Sequence, residues 1–439
     1  MISIERTNHF ENLLFLQNTI YFKNLSINKI LVLAETISLS GSSAGKARNA
    51  LIRSLSKAGF DIRVYHYSQK EINISQIETI LISKKKTDIN YILSRTQRVF
   101  QRFTGRNWSK PLENRFGFSF TFKNDVSSMI YALRKEEPTD YNLIITLSKG
   151  ASYRSHAALL KLPKWHRKWL AYVHDPYPFH WYPPPYEWFE AGFKQKERFF
   201  VTVAEKAAWL GYPSQLLAEW MGQFHDSFKE KSVILPHQIL DQQSSSENIP
   251  DYFKSSKFTV LHAGNLLKQR DPFPLLAAWQ LFLKRDPHAL ENAQLLLLGP
   301  ASYHEPQFGD NCKTIPSVHK SDGYVNHREV KAMEQAASVN IVLEAVSEIS
   351  PFLPAKFPGL VCANRMIFHL GPKNSESRRL LGENHHFAAE ADNVEKIAEL
   401  LVELFKIWKD NPTQLELNRS DLEDYFSPLH LKCELDKLL

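Results

Sequence analysis

The sequence predicts an α/β protein made of two doubly wound parallel-sheet domains facing each other across a cleft. Three observations carry this. At 439 residues the chain exceeds what one ordinary core supports. Short runs such as KILVLA (29–34), YNLIITL (141–147) and FTVLHA (258–263) are apolar throughout rather than alternating, the pattern of strands buried on both faces. Stretches with helical spacing separate these runs, first in one array and then in a second of similar size.

In the first array, residues 1–28 read as an extension with no assigned function. The strand at 29–34 leads into a polar loop at 38–45, then a helix with Ala47, Ala50, Leu51 and Leu55 on one face, ended by Gly59. A second strand at 60–67 completes the opening βαβ unit. The loop GSSAGK is not a Walker A motif: its first glycine stands one residue too close to Gly45, and Ala47 occupies the place of the metal-binding hydroxyl. It is not a dinucleotide fingerprint either, since GxGxxG is absent. Gly41, Gly45 and Lys46 therefore mark a helix-start loop that is either a ligand contact or a tight turn.

Residues 84–124 are dense in basic side chains interleaved with aromatics. Within them Ile92, Val99, Phe100 and Phe103 keep helical spacing, with arginines on the other side. Such a helix either meets an anionic membrane or acidic acceptor, or is a solvated face over the core. Strands follow at 141–147 and 168–173, and the second runs into His174-Asp175-Pro176, where open parallel sheets bind ligands. The aromatic, proline-stiffened stretch after it, Tyr177 to Phe189, is expected to form a platform for a sugar, lipid or base. A strand and turn at 199–207, a helix from Pro213 to near Gln223 and a strand at 231–236 end the array. The polar run 242–248 is the expected linker, giving domains 1–245 and 246–419.

The second array repeats the plan. Strands are expected at 258–263, 294–298, 314–318 and 339–343, with helices at 274–283, 329–336 and 392–408. Segment 420–439 is a helix that could cross back to the first domain. Between strand and strand lies SEISPFLPAKFPGLVCANRMIFHLGP (347–372): a loop carrying Lys356, a short helix and a buried strand. It is either an ordinary αβ unit or one whose helix start faces a phosphate.

The net charge of +7 favours anionic partners, yet no RNA or DNA motif accompanies it, so nucleic acid is not expected. The cysteines, three in all, lie far apart without CxxC spacing, which argues against a disulfide framework or zinc site. No signal peptide or membrane-spanning stretch is read, and the expected location is cytoplasmic, at most peripheral on the inner membrane face.

Several motifs resemble the family 4 glycosyltransferases, which have the GT-B arrangement of two facing Rossmann-like domains. HAGNLLKQRDPFPLLAAW looks like the element that grips the donor diphosphate, with Gly264 as the close-approach glycine, Asn265 where the family often has arginine, and Arg270 on its lysine. GYVNHREVKAM resembles the segment meeting the nucleobase, here Tyr324 and Val325. The 347–372 stretch is similar to a variant of the family's E-x7-E motif. On that match Lys356 is the motif lysine, Ser350, Pro351, Phe352 and Leu353 form the loop facing the diphosphate, and Glu348 could hold a sugar hydroxyl. YVHDP looks like the strand end carrying His174 and Asp175. The family's ribose-binding glutamate falls on Gly359, its glycine on Asn364 and its proline on Met366.

The resemblance implies a metal-independent, retaining transferase with no cofactor and a UDP- or GDP-sugar as donor. Arg270 and Lys356 would stabilise the departing diphosphate, and His174 or Asp175 would orient the acceptor hydroxyl or transferred sugar. Gly41, Gly45 and Lys46 would lie on the side of a glycan or lipid-linked acceptor, in bacterial envelope polysaccharide synthesis. The alternative is a non-catalytic GT-B subunit that binds a nucleotide sugar or a partner.

Overall fold

Parallel strands dominate the computed structural model, which describes residues 28–39, 43–105, 108–239, 249–305, 307–308, 315 and 317–439. The expected extension and the expected linker run lie almost wholly outside the described residues, as do Gly41 and Cys312.

The first sheet contains β1 (Lys29–Ala34), β2 (Asp61–His66), β3 (Glu78–Leu81), β4 (Leu143–Leu147), β5 (Trp169–Tyr172), β6 (Trp209–Tyr212) and β7 (Ser232–Ile234). Their order is β3-β2-β1-β4-β5-β6-β7, all parallel. In β1, Leu31 and Leu33 enter one core layer, and Ile30, Val32 and Ala34 enter the layer on the opposite face. A strand packed on both faces has no polar side to show, hence its continuous apolar run.

The second sheet is built from β8 (Phe258–Ala263), β9 (Ala293–Leu298), β10 (Val318–Lys320), β11 (Val339–Leu343), β13 (Met366–Leu370) and β15 (Ala388–Ala389), in the order β10-β9-β8-β11-β13-β15. The short β12 (Ile349–Ser350) and β14 (Asn374–Ser375) pair separately. Two doubly wound parallel sheets are what the continuous apolar runs predict.

Several expectations need correction. Residues 199–207 are not strand: they belong to the helix Phe193–Lys206, whose buried positions Lys196, Phe200, Val203 and Ala204 follow the helical period. That period outweighs the local content of Val, Thr and Phe. The strand expected at 314–318 is Val318–Lys320, positions 314 and 316 lying outside the described residues. The loop reading of Gly45 fails as well, because the helix Ser43–Lys57 already contains it. Strands β3 and β6 are not among the expected elements; β3 is a half-buried edge of four residues with little apolar signal.

Most of the aromatic stretch after β5 is packed rather than open, with Trp188 and Phe189 alone of its large rings exposed. Tyr177, Trp181 and Tyr186 are buried, and Tyr182 and Tyr186 pack against Phe352 of the second domain with ring centroids 5.7 and 5.8 Å apart. These rings hold the domains together.

Two further contacts fix the domain arrangement. Ser214 Oγ donates to the Pro351 carbonyl at 2.6 Å. The first backbone N–H groups of the helix Gln215–Gly222 donate to the fully buried Glu376 carboxylate of the second domain, from Gln215 at 3.3 Å and Leu216 at 3.1 Å. One domain thus caps a helix of the other. Near the C-terminus the helix Pro428–Asp436 returns to the first domain, burying Leu431 and Leu435 beside Leu51, Ile52 and Leu55. Each such leucine contributes about 1.5–3 kcal/mol.

Candidate active site

A cleft of about 850 Å³ opens between the two sheets. It lies at the C-terminal ends of β1, β4 and β5 on one wall and of β8, β9 and β11 on the other. In parallel sheets these are the ends where helix N-termini and loops converge on a ligand.

Lys356 is the hub of the second-domain wall. Its ammonium donates to the carbonyls of Ala263, at 3.1 Å, and Ile341, at 2.9 Å, and stands 3.3 Å from His262 Nδ1. It thereby ties the 351–356 loop to β8 and β11. Burial lowers the Lys356 pKa, with the facing Glu334 acting against that shift. Burial also holds His262 neutral, with the Lys356 and Arg270 charges adding to the effect. An imidazole that accepts from Lys356 at Nδ1 carries its proton on Nε2, which has no hydrogen-bond partner among the described residues.

Gly264 lies next to this imidazole. A Cβ placed there would stand 3.4 Å from His262 Nε2 and 3.9 Å from Lys356 Nζ, ordinary contact distances. The protein itself therefore does not require glycine at 264, and the bare backbone is exposed to the cleft instead. Gly299 differs: its φ is +130° and a Cβ would meet the Gly264 carbonyl oxygen at 2.4 Å. Gly299 makes the turn that lets Gly264 reach the cleft. Arg270 lines the same wall, with its Nε buried and unpartnered among the described residues.

The facing wall carries His174 and Asp175, placed by the end of β5. His174 Nε2 is 3.5 Å from Asp175 Oδ2, too long for a hydrogen bond, and His174 Nδ1 is 3.4 Å from Ser148 Oγ. Burial and the nearby Arg48 charge push the His174 pKa down to about 3, so the ring is neutral at physiological pH. Burial between the domains raises the Asp175 carboxyl to about 7, with Arg270 acting against it. Tyr153 locks the pair from behind, donating to the Asp175 carbonyl at 3.0 Å and stacking on His174.

Of the residues singled out in the sequence, the cleft brings together Lys46, His174, Asp175, Gly264, Asn265, Arg270, Tyr324, Val325, Phe352, Leu353 and Lys356. Tyr324 is 78% exposed. Ser350 and Pro351 lie behind the lining and buried, and Glu348 is exposed outside it. Gly41 lies outside the described residues.

Three functional candidates escape the sequence reading. Arg48 donates to the carbonyls of Thr36 and Ser148 at 3.0 and 2.9 Å and leaves Nη2 unpartnered in the lining. Its cue is a cation on the apolar face of a helix. His262 is legible as a histidine inside an apolar strand run, and Glu334 has no local signal. Among the described residues no group of three His, Cys, Asp or Glu side chains could hold a metal ion.

No protein-family model matches the sequence, and no curated protein matches it. Solved structures do match. An E. coli structure described as trehalose-6-phosphate bound with UDP-2-fluoro glucose is 10% identical, covering 94% of this chain and 99% of that one at a TM-score of 0.60. The fold is GT-B.

A UDP-forming α,α-trehalose-phosphate synthase from Burkholderia xenovorans, in complex with glucose-6-phosphate, is 9% identical over 94% of this chain and 99% of that one, at a TM-score of 0.61. WaaG, a glycosyltransferase involved in lipopolysaccharide biosynthesis, is 12% identical over 93% and 98%, at a TM-score of 0.53. At such identities the likeness is one of GT-B fold.

Proposed function

We propose that this GT-B protein is a glycosyltransferase moving a sugar from a nucleoside diphosphate sugar, a UDP- or GDP-sugar, to a glycan or lipid-linked acceptor. One observation carries the reading: Arg270, Lys356 and the bare backbone of Gly264 converge on one wall of the cleft, opposite His174 and Asp175. A diphosphate leaving group needs positive charge set before its own develops, and Arg270 and Lys356 supply it on the second-domain wall. The Gly264 N–H itself donates to the Leu298 carbonyl at 2.8 Å, so Gly264 contributes close approach rather than a donor. The bond from the anomeric carbon to the diphosphate oxygen breaks and one to the acceptor oxygen forms. The acceptor's proton leaves toward the departing diphosphate, and Asp175 and His174 orient hydroxyl groups on the other side. The resemblance supports retention of configuration without a metal, and bacterial envelope polysaccharide as the setting.

A lipid-linked acceptor places the protein at a membrane, and the helix Ile89–Thr104 supports such a contact. Only Ser94 of that helix is buried. Ile92, Val99, Phe100 and Phe103 face outward, Phe103 at 87% exposure, beside the exposed Arg95, Arg98 and Arg102. Apolar rings among arginines fit an anionic bilayer surface. Among the described residues no helix is long and apolar enough to cross a membrane.

The test is a melting and hydrolysis panel with UDP-, GDP-, ADP- and CMP-sugars, run beside Arg270→Ala and Lys356→Met. A single nucleotide class that stabilises the wild type and is slowly hydrolysed, with both effects lost in the variants, supports a transferase and names its donor. Binding without hydrolysis or transfer to any acceptor favours a non-catalytic binding subunit, and absence of all binding overturns the reading.

A further inference from the structure

We propose that Glu334 recognises the ribose hydroxyls of the bound nucleotide, reaching the sugar from the helix His327–Ala336 rather than from the helix Phe357–Cys362 beside it. The assignment rests on the proposed function, in that the cleft must take a nucleoside diphosphate.

With the diphosphate at Arg270 and Lys356, the exposed Tyr324 ring at the lining of the cleft offers a face for the base, and a nucleotide spanning the two would set its ribose against the wall between them. Vicinal hydroxyls are hydrogen-bond donors, and a carboxylate with two acceptor oxygens can take both. Among the described residues lining the cleft only Asp175 and Glu334 carry carboxylates, and Asp175 belongs to the opposite domain. That leaves Glu334 on the nucleotide's own wall.

The helix is arranged to present it. His327, Val330, Lys331 and Glu334 all line the cleft, a single stripe at the helical period. Helical side chains lean toward the helix N-terminus, so Glu334 in the last turn is inclined back toward the Tyr324-Val325 turn. The neighbouring helix leaves room: Gly359 lines the same cleft, and a Cβ there would meet nothing within 4 Å. Burial raises the Glu334 pKa, while the charges of Lys356, Lys331 and Lys46 act to keep it ionised. The last of these lysines comes from the first domain, so the carboxylate sits where the two walls meet.

The experiment is calorimetry with UDP and 2′-deoxy-UDP, and with GDP and 2′-deoxy-GDP, on the full chain. The wild type is expected to bind the ribonucleotide at least about tenfold more tightly than its deoxy form, the effect of one hydrogen bond to a charged group. In Glu334→Gln the preference should fall below about threefold while diphosphate binding persists. Glu334→Asp, which keeps the charge and loses reach, should also lose preference. Adding Gly359→Glu to Glu334→Gln should restore it by supplying a carboxylate from the other helix. An undiminished preference in Glu334→Gln, or none in a wild type that binds, overturns this assignment and leaves the proposed function standing. If no nucleoside diphosphate binds, both fail.

Discussion

Gly264 and Gly299 show how two glycines a few ångströms apart serve different ends. Gly299 is required by the fold, since its positive φ and the 2.4 Å approach of the Gly264 carbonyl exclude any side chain. Gly299→Ala is expected to cost roughly 2 kcal/mol or more. A Cβ at Gly264 meets only ordinary contacts, so Gly264→Ala should change stability by less than about 1 kcal/mol. It should nevertheless weaken nucleotide-sugar binding at least tenfold, about 1.4 kcal/mol, by occupying the space kept for the diphosphate. Denaturant melts and a binding titration on both variants check this; normal binding by the Gly264→Ala variant would remove Gly264 from the site.

Asp175 makes the pH-dependent case at the same scale. Its folded pKa of about 7 lies above the ordinary 3.8, so the folded state holds the proton more tightly than the unfolded chain. The stability it contributes is present below pH 4 and is lost as pH rises through 7. Asp175→Asn should therefore match the wild type near pH 4 and exceed it at pH 8. The gain should be on the order of 1–2 kcal/mol, discounted because the side chain is 40% exposed to the cleft. Melting curves at pH 4 and 8 read it out, and an equal gain at both would mean the carboxyl is not shifted.

At the scale of elements, the helix Ile89–Thr104 departs most from the ordinary outcome. Its apolar spacing is plain in the sequence, and spacing alone favours the core as the destination of that face. In the folded protein the face points outward. Periodicity identifies the helix but cannot say which neighbour covers it, because that depends on where the chain on either side is anchored. If the face rests on an anionic bilayer, Val99→Glu with Phe103→Glu should reduce co-sedimentation with anionic vesicles several-fold. Raised salt should weaken the wild-type contact as well. Zwitterionic vesicles that bind equally well would count against charge complementarity.

At the scale of the whole molecule, the two domains are held in register by a few buried polar contacts. Glu376 is fully buried, accepts from the start of a helix in the other domain and pairs with Arg379 at 2.7 Å. Glu376→Ala leaves two backbone N–H groups at the domain junction without their acceptor, while the partly exposed Arg379 can turn to solvent, and is expected to cost about 2–4 kcal/mol. The loss should also appear as weaker donor binding, since the cleft walls come from separate domains. A variant that melts early but binds donor normally would show that Glu376 sets stability without setting the cleft.

The sequence by itself determined the elements and their class. Short continuous apolar runs bounded by turn residues are the pattern of strands packed on both faces, so two parallel sheets were legible from local composition, as were most strands around the cleft. The position of His174 and Asp175 at a strand end followed from the same logic, whereas Arg270 and Lys356 stand out by resemblance to a family motif. Tertiary structure alone decided which side chains meet. Nothing local marks Glu334, on one helix, as sharing a wall with Gly359 on the next. Nothing in the Tyr177–Phe189 aromatics says that they pack on Phe352, some 170 residues later, instead of on a ligand. Secondary structure follows from short-range periodicity, whereas a cleft is made by contacts between residues far apart in the chain, and the packing of whole sheets sets those contacts.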